Sequence, residues 1–169
     1  MKRTAARTAA ESGVLVAAAF ALSYIEHWIP AAPVPGLKLG LANIVTLIAL
    51  YRLGTRYAAL VAAARCVLAA LLFGGLGSLA FSLTGAFFAL AAMAALNGRK
   101  AVSVYGVSVA GAAAHNLGQT LAASVLMQTP AVFSYLVWLL PLSVPAGLLV
   151  ALIYRLTARF SPERRGSRH

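Results

Sequence analysis

The chain has 169 residues, 62% of them hydrophobic and 10% charged, with a mean hydropathy of +0.87. That balance excludes a soluble globular domain and implies an integral membrane protein, long enough for one domain of about six spanning helices. The acidic residues are Glu11, Glu26 and Glu163 and there is no aspartate, so a carboxylate cage around Mg²⁺ or a carboxylate pair for acid–base chemistry has no raw material.

The net charge of +11 does not point to nucleic acid. Lys and Arg sit at the two chain ends and in two short gaps between apolar runs, the placement that orients membrane proteins. Cys66 lies inside an apolar run without a local partner for a disulfide or a metal, and reads as a small core residue. No metal or cofactor is expected. Residues 1–30 do not read as a cleaved leader, because the apolar run ends in Glu26-His27-Trp28 and not at a small-residue cleavage site.

In chain order, a basic segment over 1–8 precedes a six-helix transmembrane domain over 9–160, and a basic tail follows over 161–169. The first helix is predicted from about Ala9 to Ile29, closing at Pro30 beside the interfacial Trp28. A proline-rich loop over 30–37 leads into the second helix, which ends at Leu53 before the basic turn of Arg52, Gly54 and Arg56. The apolar part from Leu39 to Tyr51 would cover roughly 20 Å as a helix, short of the ~30 Å of a bilayer core. Such an entry implies non-helical backbone at membrane depth, tolerated only where protein or a polar cavity surrounds it.

The third helix is predicted over about Tyr57–Phe73 with Arg65 mid-way, followed by an uncharged turn, Gly74-Gly75-Leu76-Gly77-Ser78. The fourth runs from about Leu79 to Leu96 and stops at Asn97-Gly98-Arg99-Lys100. The fifth spans about Val102–Met127 and carries the most polar intramembrane run, His115-Asn116-Leu117-Gly118-Gln119. After Gln128-Thr129-Pro130, residues Ala131–Leu140 form a short interfacial helix with Pro141 opening the sixth, or else one long segment kinked at Pro141 and Pro145. With six spans, every Lys and Arg except Lys38 and Arg65 falls on one side, so both termini of a multi-pass chain are expected in the cytoplasm.

Ionisable groups within the membrane are costly, by about 2.5–3.5 kcal/mol on insertion scales, and so mark candidate function. Arg65 lies roughly 16 Å in from the cytoplasmic turn at 1.5 Å per residue, with His115 and Asn116 at comparable depth, while Glu26, Lys38 and Asn43 approach from the outer side. One reading is a polar cavity open to the outside. Arg65 and Lys38 would attract an anionic or carbonyl-rich group there, Asn43, Asn116 and Gln119 would give directional hydrogen bonds, and His115 would bond or stack. The other reading is internal: Glu26 neutralises Arg65 or Lys38, and the amides tie helices together. Two basic groups against one local acid favour a ligand.

Gly13, Ala17 and Ala21 form a small-residue stripe at spacing four on the first helix, suited to a partner subunit or to packing within the chain. Phe81, Phe87, Phe88, Phe133, Tyr135 and Trp138 read as lipid-facing or core residues, and Ser82 and Thr84 as bonded to their own helix backbone. No serine or cysteine has a base at motif spacing, and His115 has no obvious carboxylate partner, so catalysis is not expected. The chain also lacks a phosphate-binding loop, so any ATPase would be supplied by other chains.

The run Pro-Gly-Leu-Lys-Leu-Gly-Leu-Ala-Asn-Ile-Val-Thr-Leu at 35–47 resembles the signature of the Gx transporter family, also catalogued as heptaprenyl diphosphate synthase component I. Leu22-Ser23-Tyr24-Ile25-Glu26, Leu72-Phe73-Gly74 with Phe81-Ser82-Leu83, and Gly111 to Gln119 extend the resemblance over about residues 10–158. The family is similar to the substrate-binding S components of energy-coupling-factor (ECF) transporters. That implies an S-component-like bundle, helix-1 small residues for the coupling subunit, and an outward pocket for a small molecule, anionic or vitamin-, flavin- or quinone-related. The catalogue name implies instead a non-catalytic membrane subunit in making the prenyl diphosphate precursor of menaquinone. Aspartate-rich Mg-diphosphate motifs are absent, so elongation by this chain alone is not expected. Members are also linked to extracellular electron transfer, which implies a third role as membrane partner of a redox system.

Overall fold

The structure, a computed structural model, describes residues 4–28, 38 and 40–159. The start of the expected basic N-terminal segment, the proline-rich loop over 30–37 and the basic tail over 161–169 lie outside the described residues. Six α-helices follow one another, with no strand among the described residues: α1 (Ala5–His27), α2 (Asn43–Leu53), α3 (Thr55–Ala69), α4 (Gly75–Leu96), α5 (Val104–Leu126) and α6 (Leu136–Arg159). A π turn over Ala70–Gly74 joins α3 to α4, and a 3-10 turn over Pro130–Tyr135 leads into α6. Helix is what an alanine- and leucine-rich chain adopts when lipid leaves every backbone group to be satisfied from within. Side chains start two of the helices: the Thr4 hydroxyl accepts from the Arg7 N–H, and Ser103 from Gly106.

Among the described residues, three stretches are long and apolar enough to cross a membrane: α1, the α3–α4 pair over Thr55–Leu96, and the segment Pro130–Arg159. The expected turn over Gly74–Ser78 is tighter than its sequence suggests. Gly75, at φ +69°, takes the reversal in a left-handed conformation open to glycine, and α4 resumes at once, so Ser78 is helical. At the other expected junction the observed arrangement is the single long segment, and not an interfacial helix ending at Leu140. α6 runs through both Pro141 and Pro145. Membrane helices tolerate interior proline, and on either side of these two α6 is tied to α5 or to its own backbone by side chains. The Asn116 amide and the Ser143 hydroxyl both donate to the Leu139 carbonyl, and Ser108 donates to that of Gly147.

α2 is the short helix at the centre. It touches each of the other five, and Asn43 through Leu47, Ala49 and Leu50 are all buried. A helix apolar nearly all round is one surrounded by protein on every side. Around it the large residues of the outer helices, Leu60, Leu71, Leu76, Phe87, Val125 and Trp138 among them, face outward.

α4, α5 and α6 approach closely through glycines. A Cβ on Gly118 would stand 2.7 Å from the Thr84 carbonyl oxygen, and one on Gly147 would stand 2.5 Å from the Val109 Cα. Polar groups at one end tie the bundle's rim: Arg52 at the end of α2 pairs with Glu11 near the start of α1 at 2.8 Å. Arg155 near the end of α6 donates to the Tyr105 hydroxyl at the start of α5, at 3.1 Å.

Candidate functional site

At the opposite end of the bundle the Asn43, Ile44 and Val45 N–H groups bond back to the carbonyls of Gly40, Leu41 and Ala42, and two other helices accept from the N–H groups before them. The buried carboxylate of Glu26, near the end of α1, accepts from the backbone N–H groups of Gly40 and Leu41. The Gln119 side-chain oxygen, from α5, accepts from the Lys38 N–H at 2.9 Å. Non-helical backbone thus sits inside the bundle with its donors satisfied by side chains. Gly40, at φ +83°, is required twice over: its conformation is left-handed, and a Cβ there would meet the Asn43 amide at 2.8 Å and the His115 ring at 2.9 Å.

That second hydrogen bond fixes the chemistry of its neighbour. A backbone N–H can only donate, so Gln119 faces Lys38 with its oxygen and presents its NH₂ to His115 Nε2, 2.7 Å away. His115 Nε2 is then the acceptor, and in the neutral ring the proton sits on Nδ1. Nδ1 is directed toward the backbone of Gly85, out of good hydrogen-bond geometry. Gly85 makes room for the ring, since a Cβ there would lie 2.8 Å from it.

The Lys38 ammonium donates to the hydroxyls of Ser78 (3.3 Å) and Ser82 (3.5 Å) on α4 and lies 6.0 Å from the Phe73 ring centroid. Ser82 was expected to bond back to its own helix; it serves Lys38 instead, because the tight α3–α4 reversal turns that face of α4 inward. Thr84 does bond back, to the Ala80 carbonyl. Phe73 also meets His27, Tyr24 and Phe20 of α1, with centroids 5.0, 5.5 and 5.7 Å away.

Arg65 is 2% exposed. One terminal nitrogen, Nη1, donates to Ser23 at 3.3 Å, while Nε and Nη2 have no hydrogen-bond partner. Glu26, one turn from Ser23 on α1, is within electrostatic range of both Arg65 and Lys38, yet its carboxylate is engaged by the backbone entering α2. No ion pair within 4 Å joins it to either cation among the described residues. Asn43 is buried with both its amide nitrogen and its oxygen unpartnered, and the Thr46 hydroxyl one turn on is unpartnered too. Most buried polar atoms in proteins find partners, so several orphans in one cluster call for an explanation.

Of the residues singled out from sequence, Arg65, Lys38, Asn43, His115, Gln119 and Glu26 form one connected cluster of α1, the α2 entry, α3 and α5. Asn116 does not turn toward it; its amide nitrogen goes to α6, at 3.0 Å from the Leu139 carbonyl and 2.9 Å from the Ser143 hydroxyl. Gly13, Ala17 and Ala21 lie exposed along α1. Ser23, Thr46 and Phe73, which lie in the family-like stretches, and Ser78, in the expected turn, receive no site role from sequence, since a hydroxyl or a ring carries no signal of its direction. Among the described residues no three His, Cys, Asp or Glu side chains converge to hold a metal, and Cys66 is buried as a free thiol.

The family model described as heptaprenyl diphosphate synthase component I matches residues 15–157. The chain belongs to that family. Its fold is that of a solved structure described as the S component of a bacterial ECF transporter, with a TM-score of 0.64 over 93% of this chain and 96% of the other, at 20% sequence identity. No curated protein matches the sequence.

Proposed function

We propose that this protein is the substrate-binding membrane component of an ECF-like transporter, without catalytic activity of its own. The observation that carries the proposal is that hydrogen-bonding atoms on Arg65, Asn43 and Thr46 are buried in the bundle without partners. Buried polar groups left open in an otherwise packed bundle are what a ligand completes. The fold shared with an S component supports the same reading. Six spans with both termini in the cytoplasm of a bacterial inner membrane would turn the cluster outward, since the basic rim of Arg52, Arg56, Arg99 and Arg155 is at the other end. The exposed stripe of Gly13, Ala17 and Ala21 would then meet a coupling subunit, with ATPases supplied by other chains.

Affinity purification from native membranes tests this directly. Recovery of an integral coupling subunit with ATPases is expected, together with a small molecule that native mass spectrometry detects and that Arg65→Met removes. Reporter fusions after Arg56, after Arg99 and at the C-terminus should all read cytoplasmic; one external signal refutes the topology. A second reading is favoured by the family description: a non-catalytic membrane subunit of heptaprenyl diphosphate synthesis. Co-purification of a soluble prenyl diphosphate synthase, in place of ATPases, would establish it. Recovery of a redox protein would point to a membrane role in extracellular electron transfer.

A further inference from the structure

The open hydrogen-bonding positions are specific enough to describe what completes them. On a guanidinium, Nε–H and the neighbouring Nη2–H lie on one edge and point the same way. On Arg65 that edge is open, while the remaining nitrogen is held by Ser23. A planar two-pronged donor of this kind matches the two oxygens of a carboxylate. Asn43 presents a carboxamide with donor and acceptor both open, and Thr46 adds a hydroxyl one turn on that either donates or accepts. The natural complement of an open carboxamide is another amide-like edge.

Charge narrows the class further. The cluster holds Lys38 and Arg65 against Glu26, so it carries one positive charge in excess. The His115 ring accepts from Gln119 at Nε2 and so adds none in this arrangement. A single negative charge balances the set. A diphosphate would bring an excess of negative charge into a bundle where unbalanced charge is costly. Lys38 already donates to Ser78 and Ser82, so it contributes field more than grip.

We infer that the site takes a small monoanionic carboxylate bearing an amide-like donor–acceptor edge, with the carboxylate on the Nε/Nη2 edge of Arg65 and the amide-like edge on Asn43. This deepens the transporter proposal and rests on its premise that the cluster is a ligand site.

The test uses the full chain in lipid nanodiscs and four probes: N-acetylglycinate, its neutral amide N-acetylglycinamide, acetate, and inorganic pyrophosphate. Saturation-transfer NMR should show N-acetylglycinate binding about tenfold more strongly than N-acetylglycinamide, and equimolar pyrophosphate should not displace it. Arg65→Lys keeps the charge and removes the planar edge, and should reduce the signal several-fold. Asn43→Ala should weaken N-acetylglycinate without affecting acetate. Equal binding of the acid and its amide, displacement by pyrophosphate, or no transfer to either acetyl compound overturns the inference. So does an unchanged signal in Arg65→Lys. The wild-type comparisons stand whether or not the variants fold. If they fail while a small molecule is still released from the native protein, the transporter reading survives and the carboxylate class does not. If N-acetylglycinate binds as expected but no coupling subunit is recovered, the reverse holds.

Discussion

Asn43 and Asn116 are both buried asparagines in apolar helices, and the difference between them divides the molecule. Asn116 belongs to the α4–α6 side, where polar groups are used to hold helices together: its nitrogen serves the Leu139 carbonyl and Ser143, and Ser108 serves Gly147. Glycines at 85, 111, 118 and 147 bring those helices close enough for such bonds. Asn43 belongs to the α1–α3 side, where Thr46 and two nitrogens of Arg65 are left open as well. The α4–α6 side commits the Asn116 nitrogen and its serines to cohesion and leaves the Asn116 oxygen open, while the α1–α3 side leaves more of its hydrogen-bonding atoms without partners. A buried polar residue in a membrane bundle therefore says little until its partners are counted.

Glu26 should break this comparison most severely, because it serves both purposes. Glu26→Ala strips two backbone donors of their acceptor and leaves two buried cations without a counter-charge. It should cost about 3–5 kcal/mol of stability, the range for breaking a buried charged pair, read from unfolding in detergent. Next in size is Arg65→Met. Its folded state should survive, since the charge it removes is in excess, while affinity for the native ligand falls by about 2–5 kcal/mol, measured by calorimetry. Resistance to unfolding that falls in step with affinity would place Arg65 among the cohesive residues.

The two asparagines then give a matched pair. Asn43→Ala should lower ligand affinity about tenfold, or 1.4 kcal/mol, with thermal unfolding nearly unchanged. Asn116→Ala should do the opposite, lowering stability by about 0.6–1.7 kcal/mol, the span measured for interhelical bonds in membranes, with affinity intact. Identical behaviour of the two variants would dissolve the division. Smallest of all, Ala17→Trp on the exposed face of α1 should leave both folding and ligand binding within error. Its only expected effect is on recovery of a coupling subunit in pull-downs.

Much of the cluster was legible because charge in an apolar run is conspicuous. Arg65, Lys38 and Glu26 stand out against their surroundings, and the shortness of the run after Gly36 announced an irregular entry to α2. What could not be read was direction. His115 and Asn116 are adjacent in sequence and about 100° apart around the helix, so one faces Gln119 and Gly40 while the other faces α6. Ser78 and Ser82 reach Lys38 because the π turn over Ala70–Gly74 and the positive-φ Gly75 make a tight reversal between α3 and α4. A run of glycines signals a turn without stating how tight it is. Pro141 and Pro145 left a separate helix and one long segment both open, because the hydrogen bonds between α5 and α6 are long-range and no local pattern announces them.

The position of α2 bears on how the chain is assembled in a cell. Eleven residues span about 16 Å, roughly half the hydrocarbon thickness, and carry Asn43 and Thr46. Such a segment is a poor substrate for insertion on its own. It would be retained in the bilayer by the apolar α3–α4 hairpin made immediately after it, and would wait at the interface until α5 emerged with Gln119 to hold its entry. The centre of the finished bundle would thus be among the last parts to settle, and a ribosome stalled before His115 should leave α2 open to water-soluble thiol reagents at an introduced cysteine.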